Sequence, residues 1–408
     1  MNNLRKEIKF CVIGSVDAGK SSLVSVIVHK KLDDGRGLAR KKIFRHLHEV
    51  ESGRTSSISS HHLKINDDKT LTFIDLAGHE KYLKTTITGI TSSFADYAVI
   101  VVGSNMGVLR MTKEHLGIAL ALKIPIIFVL TKIDICPTHI LENTKKRLCK
   151  ILNSKAAGKK EPMFIENEKD MFDYGKLNMT NKLKKCPILE VSNKLGTRID
   201  LLRHFLSNLS PYDRGIYDDT INLFQIEEKY LVTGVGIVVY GVCKKGTMRV
   251  NNKMYFGPFS GNFIEATIKS IHNNFKEHVD YISKGDSGCL ALKINKKNNI
   301  KLDNIKRGMV VISNPQCVYE FLAEVVILHH PTTIQKNYQP VIHCGSVRQS
   351  AKICKIINRK VIRTGEKANI RFRFMFKPEY IEEDDIIILR EGKTKGIGKI
   401  KKIFCEVK

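Results

Sequence analysis

The sequence predicts an α/β domain with buried parallel strands, followed by β-rich, barrel-like structure. Three observations carry this expectation. The apolar run Ile8-Lys9-Phe10-Cys11-Val12-Ile13 leads into a glycine-rich turn and then into Leu23-Val24-Ser25-Val26-Ile27-Val28, the pattern of a strand, a turn and a helix. Ile124-Pro125-Ile126-Ile127-Phe128-Val129-Leu130 is apolar throughout, as a strand covered on both faces requires. Beyond about residue 210 the alternation gives way to short β-prone runs separated by glycines, among them Leu223–Ile226, Thr233–Gly241 and Ile268–Ile271, which suits a small barrel.

The turn after the first strand reads Gly14-Ser15-Val16-Asp17-Ala18-Gly19-Lys20-Ser21, with Ser22 next in line. Between a strand and a helix this spacing makes a phosphate cradle. Gly14 and Gly19 let backbone N–H groups close on phosphate oxygens, the helix N-terminus adds its positive end, Lys20 reaches the outer phosphates, and the Ser21 hydroxyl is placed for Mg²⁺. Thr72-Phe73-Ile74 is a β-prone run ending at Asp75, so that carboxylate falls at a strand's carboxyl end and is expected to hold Mg²⁺ through water. In the turn Leu76-Ala77-Gly78 the Gly78 N–H is expected to contact a γ-phosphate. His79, one residue on, is the candidate for orienting the attacking water. The strand over 124–130 delivers Thr131-Lys132-Ile133-Asp134 to the same sheet edge. The Asp134 carboxylate can accept both N1–H and the 2-amino group of guanine, which adenine lacks, while the Lys132 stem can lie across the base. The chain is therefore expected to bind GTP and GDP with Mg²⁺ and to hydrolyse GTP, with Lys20, Gly78 and His79 as the catalytic candidates.

Gly-x-x-Asp-x-Gly-Lys and Asp-x-x-Gly-His are the forms these motifs take in the translational GTPases, and the chain resembles that family, the family of elongation factor Tu and elongation factor 1A. The likeness is closest to the GTP-binding-protein-1 subfamily. It runs through Asp34-Gly35-Arg36-Gly37-Leu38-Ala39-Arg40, Phe44-Arg45-His46, Glu49-Val50-Glu51-Ser52-Gly53-Arg54-Thr55-Ser56-Ser57, Val191-Ser192-Asn193, Leu328-His329-His330-Pro331-Thr332-Thr333-Ile334 and His343-Cys344-Gly345-Ser346. The resemblance implies a P-loop GTPase domain, a mostly parallel sheet with helices on both faces, followed by two β-barrel domains; the expected spans are 1–212, 213–316 and 317–408. It implies that Thr55 in the first switch completes the Mg²⁺ shell with Ser21 and Asp75, with Ser56 and Ser57 as competing hydroxyls. It also implies that Ser192 and Asn193 sit in the fifth motif, whose backbone touches guanine O6. Three positions depart from the family: Ser15 replaces the usual His, Thr131 the usual Asn that bonds back to the P-loop, and Ser22 a Thr. The Thr131 change bears on affinity rather than on the choice of base.

By the same resemblance the expected partners are aminoacyl-tRNA and the ribosome, met by a cytoplasmic monomer. A GTP-gated adaptor for RNA-decay proteins, or a ribosome-rescue factor, is the alternative. The 408 residues, 42% hydrophobic, are enough for a large α/β domain and two smaller ones. No apolar stretch approaches the length of a bilayer span. The ten Cys include no Cys-x-x-Cys pair, which fits reduced thiols in a cytosol-like compartment. The formal charge of +27 favours polyanionic partners in a salt-dependent way; a lysine-rich composition from an AT-rich genome would give the same number.

Several segments carry more specific expectations. Residues 153–185 are lysine-rich, contain Gly158 and Pro162, and read as a surface insertion. Arg40, Lys41, Lys42 and Arg45 are placed to share a basic helical patch that would move with the nucleotide state. In Arg371-Phe372-Arg373-Phe374-Met375-Phe376-Lys377 a strand would bury Phe372, Phe374 and Phe376 and turn Arg371, Arg373 and Lys377 outward. That outer face is either simply solvated or a contact for tRNA phosphates. Lys399-Ile400-Lys401-Lys402-Ile403 reads as an edge strand or a basic contact. The pairs His61-His62 and His329-His330 are not expected to hold a metal, because neighbours on a strand point to opposite faces.

Overall fold

The computed structural model describes residues 7–44, 49, 55, 58–66, 69–92, 94–181, 184–212, 221–295, 298, 300–345, 347–392 and 394–404. The chain forms two compact units that divide in sequence between Arg214 and Gly215. The first is a seven-stranded sheet: β1 Glu7–Gly14, β2 Ser59–Asn66, β3 Lys69–Asp75, β4 Tyr97–Gly103, β5 Ile126–Thr131, β6 Glu161–Phe164 and β7 Lys185–Glu190, in the order β2-β3-β1-β4-β5-β7-β6. Only the β2–β3 pair is antiparallel. Strand β1 is buried along its whole length, and successive residues serve opposite faces. Ile8, Phe10 and Val12 join α1 (Lys20–His29) and the helix Ile199–Asn208 in one core. Cys11 and Ile13 join Leu116, Leu148 and Leu152 from the helices Arg110–Ala121 and Thr138–Leu152 in the other. The two-residue period of a strand thus fills both layers at once.

Residues 153–185 differ from the expected surface insertion. They supply β6, at the edge of the sheet, and the helix Glu168–Asn181. Ile165 and Tyr174 are buried, and Tyr174 packs on Phe205 with ring centroids 5.3 Å apart. Lys155, Lys159, Lys169 and Lys184 are exposed on this folded βα unit, while Lys160 is buried and a few apolar residues anchor it.

The second unit holds two barrels. In the first, the strands Leu223–Val232, Gly236–Lys245, Ser287–Ile294, Asn262–His272, Lys253–Phe259 and Val310–Ile312 pair in a ring, around Phe224, Val239, Phe256, Ile268 and Leu290. The second closes through Glu320–His329, Lys367–Phe374, Val347–Ile356, Val341–Cys344, Ile386–Glu391 and Thr394–Phe404. Along Glu320–His329, alternate residues Phe321, Ala323, Val325 and Ile327 are fully buried. Arg371 and Arg373 do point outward, but both bond to Glu320, Arg371 Nε at 2.6 Å and Arg373 Nη1 at 2.9 Å. Phe372 and Phe374 are buried as expected, whereas Phe376 is 78% exposed. The strand ends at Phe374, and the Gln349 Oε1 then accepts the amides of Phe376 and Lys377 at 2.8 and 2.9 Å, so the alternation stops. The strand carrying Lys399–Ile403 pairs with Glu320–His329 along its length but with Ile386–Glu391 only up to Lys399, so its last residues have a single strand partner, as the edge reading expected. Among the described residues no helix is long and apolar enough to cross a membrane.

Candidate functional site

The turn after β1 is shaped by positive-φ residues. Gly14 has φ +148°, and a Cβ there would lie 2.2 Å from the Val101 carbonyl oxygen; Gly19 has φ +87° and opens α1. Asp17 also lies in the left-handed region at φ 58°, which aspartate tolerates better than most residues. The loop Ser15–Gly19 curls so that Lys20, the first helical residue, returns its Nζ to the Ser15 carbonyl at 2.8 Å. Val16, Asp17, Gly19, Lys20, Ser21 and Ser22 line a cleft that is open to solvent. Arg40, Thr55, Gly78 and His79 complete its wall.

Three oxygen-bearing side chains converge beside the loop. The Ser21 hydroxyl donates to Asp75 Oδ2 at 2.6 Å and lies 2.8 Å from Thr55 Oγ1, which itself donates to Asp75 Oδ2 at 3.2 Å. Asp75 is 1% exposed, and its second oxygen, Oδ1, has no hydrogen-bond partner among the described residues. Two hydroxyls and one buried carboxylate, with one of its oxygens unsatisfied, form a hard-oxygen set that suits Mg²⁺. Ser56 and Ser57, the other candidate hydroxyls, lie outside the described residues.

Burial governs the charges. It pulls the Lys20 ammonium below its usual pKa, against the neighbouring carboxylates of Asp75 and Asp17. It pushes Asp75 up, against Lys20 and the hydroxyls of Ser21 and Thr55. A polyanion in the cleft would push the Lys20 pKa back up.

The turn after β3 lies directly on the loop. A Cβ at Gly78 would come within 2.3 Å of Lys20 Nζ, 2.6 Å of the Gly14 oxygen and 2.8 Å of the Ser15 carbonyl carbon, so no other residue fits without a shift. Thr86 holds the turn from behind, donating to the Ala77 carbonyl at 2.7 Å. His79 is half-buried on the cleft wall. Its Nδ1 accepts the Lys81 amide at 3.0 Å, which leaves Nε2 as the nitrogen available for the cleft.

Across the sheet, Thr131 ends β5 fully buried and donates to the Ala18 carbonyl at 2.6 Å. The threonine hydroxyl thus makes a bond back to the P-loop. Gly19 brings three motifs together: a Cβ there would be 3.5 Å from both Thr131 Oγ1 and Asn193 Nδ2. Lys132 adopts φ 59°, and Asp134, exposed beyond it, accepts the Ser192 hydroxyl at 2.7 Å. Ser192 Oγ also accepts the Leu195 amide at 3.0 Å. Asn193 is mostly buried, with Oδ1 unpartnered among the described residues.

Two features escaped sequence reasoning. Ser15 Oγ lies 3.0 Å from Thr112 Oγ1, a tie to the helix after β4 that no local pattern announces. The basic patch is divided: Arg40–Lys42 form one 3₁₀ turn in which Arg40 faces the cleft while Lys41 and Lys42 are exposed. A 3₁₀ turn spreads three successive side chains around its axis. Arg45 lies outside the described residues.

The comparisons agree with the fold. The elongation factor Tu GTP binding domain matches residues 5–223, and the GTP-eEF1A C-terminal domain-like family matches residues 320–381. GTP-binding protein 1 of Xenopus laevis is 43% identical over 98% of this chain and 64% of its own length, so the chain spans somewhat under two thirds of that relative. Elongation factor 1-alpha of Methanopyrus kandleri is 28% identical over 98% of this chain and 99% of its own. Among solved structures, the S. cerevisiae Ski7 GTPase-like domain bound to GTP superposes with a TM-score of 0.74 at 13% identity, covering 98% of each chain; at that identity it speaks for the fold alone. The chain belongs to the elongation factor Tu and elongation factor 1-alpha family of translational GTPases.

Proposed function

We propose that this chain is a GTP hydrolase that carries aminoacyl-tRNA, or a related RNA, to the ribosome in its triphosphate form and releases it after hydrolysis. The observation that supports this most is the convergence of Lys20, Ser21, Thr55, Asp75 and Gly78 on one cleft. The loop Gly14–Gly19 wraps the phosphates with its amides, and Lys20 exchanges the Ser15 carbonyl for phosphate oxygens. Ser21 and Thr55, with Asp75 through water, hold Mg²⁺, which when bound neutralises charge on the β- and γ-phosphates. Gly78 has room to offer its N–H to the γ-phosphate only because it carries no side chain. His79 orients the attacking water through Nε2. Asp134, steadied by Ser192, selects guanine; Lys132 covers the base, and Asn193 closes that end. The net charge of +27 supplies non-specific attraction to RNA, and the site of action is the cytoplasm.

The test is the GTP hydrolysis rate with and without ribosomes and charged tRNA, together with filter retention of labelled aminoacyl-tRNA. Ribosome-stimulated hydrolysis and triphosphate-dependent retention are expected. Absence of both would remove the delivery reading. One observation favours a second reading, a GTP-gated adaptor for RNA-decay proteins or ribosome rescue. In the last barrel Arg371 and Arg373 are bonded to Glu320, Lys377 to Glu379 and Lys399 to Asp384, so its outer face offers phosphates fewer unpaired cations than the sequence suggests. Capture by the GTP-bound chain separates the two: tRNA and ribosomal subunits in the first case, nuclease complexes in the second.

A further inference from the structure

Residues 30–44 form a strap whose course fixes one cation in the cleft. At one end, Asp33 N donates to the Asn193 carbonyl at 2.9 Å, and a Cβ on Gly35 would lie 3.2 Å from Lys194 Cδ. At the other, the Ser25 hydroxyl of α1 donates to the Ala39 carbonyl at 2.6 Å, while Ala39 and Ile43 are buried in the core. Carboxylates brace the interior. Asp33 Oδ1 accepts the Ala39 amide at 2.8 Å, and Asp34 Oδ1 accepts the amides of Arg36 and Leu38 at 2.8 and 3.1 Å. Ala39 is therefore clamped through both its N–H and its C=O, and the next residue, Arg40, is aimed at the cleft wall shared by Lys20, Thr55, Gly78 and His79.

Two details set Arg40 apart from a surface arginine. Its guanidinium has no hydrogen bond or ion pair among the described residues, and the two carboxylates of the strap, Asp33 and Asp34, are turned to backbone amides instead. It also lies over the bare Cα of Gly37: a Cβ there would be 2.4 Å from Nε and 2.7 Å from Cζ. Arg40 is half-buried on the same cleft lining as the buried Lys20, so an anion seated in the cleft can draw on both cations.

We infer that Arg40 is a catalytic arginine supplied in cis, donating to the phosphoryl group as it leaves the nucleotide. This inference rests on the nucleotide reading above and adds a residue to it. In the reaction the water oxygen forms a bond to the γ-phosphorus and the bond from that phosphorus to the β–γ bridging oxygen breaks. GDP keeps the electron pair, and the water proton passes to the phosphate or solvent. Negative charge grows on the bridging and γ oxygens, and a planar guanidinium can donate to two of them at once. Thr55, Gly78 and His79, the residues assigned to the γ end, share its wall, which places Arg40 at the transferring group rather than at the base.

The test compares wild type with Arg40→Ala, Arg40→Lys and Gly37→Ala in single-turnover GTP hydrolysis, in GTP and GDP affinity, and in formation of the GDP–aluminium fluoride complex. Arg40→Ala is expected to slow hydrolysis by about a thousandfold and to lose the aluminium fluoride complex, with both affinities kept within about threefold. Arg40→Lys should restore little, because a point charge cannot replace the fork. Gly37→Ala, which keeps the charge but displaces the guanidinium, should also be slow. Wild-type hydrolysis in Arg40→Ala, or an equal loss of GTP and GDP affinity, would overturn the inference. If Arg40→Ala does not fold, Arg40→Lys decides: slow turnover with normal affinity supports it, and a wild-type rate overturns it. A wild-type chain that binds no guanine nucleotide would instead bring down the nucleotide reading, and this inference with it.

Discussion

Replacing Thr131 with Val keeps the shape of the end of β5 and removes one hydroxyl. That hydroxyl is fully buried and donates to the Ala18 carbonyl at 2.6 Å, with a longer approach to the Val102 carbonyl at 3.3 Å. The methyl that replaces it cannot donate, and the Ala18 carbonyl loses its tie from β5. Losing such a bond while one partner stays buried costs about 1–3 kcal/mol. If the bound nucleotide is what demands this loop shape, the loss falls on affinity, as a Kd for GDP raised about 5- to 150-fold. If the loop has the same shape in both states, it falls on the stability of the nucleotide-free chain. Titration with a fluorescent GDP analogue measures the first and the urea midpoint of the nucleotide-free chain the second. The ratio of guanine to adenine affinity should not move, because Asp134 and Ser192 are untouched. A combined loss below about 0.5 kcal/mol, or a change in base preference without a change in affinity, would refute the idea that Thr131 serves the P-loop in place of the usual asparagine.

Asp134→Asn should shift preference from guanine toward xanthine nucleotides by about a hundredfold or more, read by competition binding; retained guanine preference would undo the base assignment. Gly78→Ala should weaken GTP about tenfold more than GDP, since the new methyl falls within 2.3 Å of Lys20 Nζ, and isothermal titration with both nucleotides checks this. His115 is fully buried with neither ring nitrogen bonded among the described residues. Burial, aided by Lys20, takes its pKa down to about 4. The unfolded chain's histidine takes a proton at its ordinary pKa, about 6.5, so this contribution to stability is complete above pH 6.5 and is lost as pH falls toward 4, by about 3 kcal/mol. His115→Leu should flatten that part of the stability–pH curve, and parallel curves for the two proteins would exclude the effect.

What was legible in the sequence was what the backbone demands locally. Gly14, Gly19 and Lys20 announce a phosphate cradle because the turn, the left-handed φ values and the helix start all fall within seven residues. The buried strand β5 was legible as an unbroken apolar run, and β1 as an apolar run interrupted only by Lys9 after Ile8. Illegible features depend on neighbours far away in the chain. The βα unit within 153–185 is held by Tyr174 on Phe205, a contact that lysine content hides. Phe376 continues the alternation of its strand on paper, but Gln349, 27 residues earlier, takes its amide and ends the strand. Arg40 looked like one of several surface cations until the clamp from Ser25 and Asp33 gave it a direction. The pairing of Arg371 and Arg373 with Glu320 across 51 and 53 residues likewise could not be read from charge counts.

Among the described residues the six strands of the last barrel close into a ring, but its last strand runs past one neighbour, so that Lys401–Phe404 faces Glu320–His329 alone. A peptide that extended the ring would therefore have to join at that overhang. Whatever docks on the closed part must grip side chains or turns, and scanning the outward positions with alanine will map it, while proline at Lys401 or Lys402 tests the overhang.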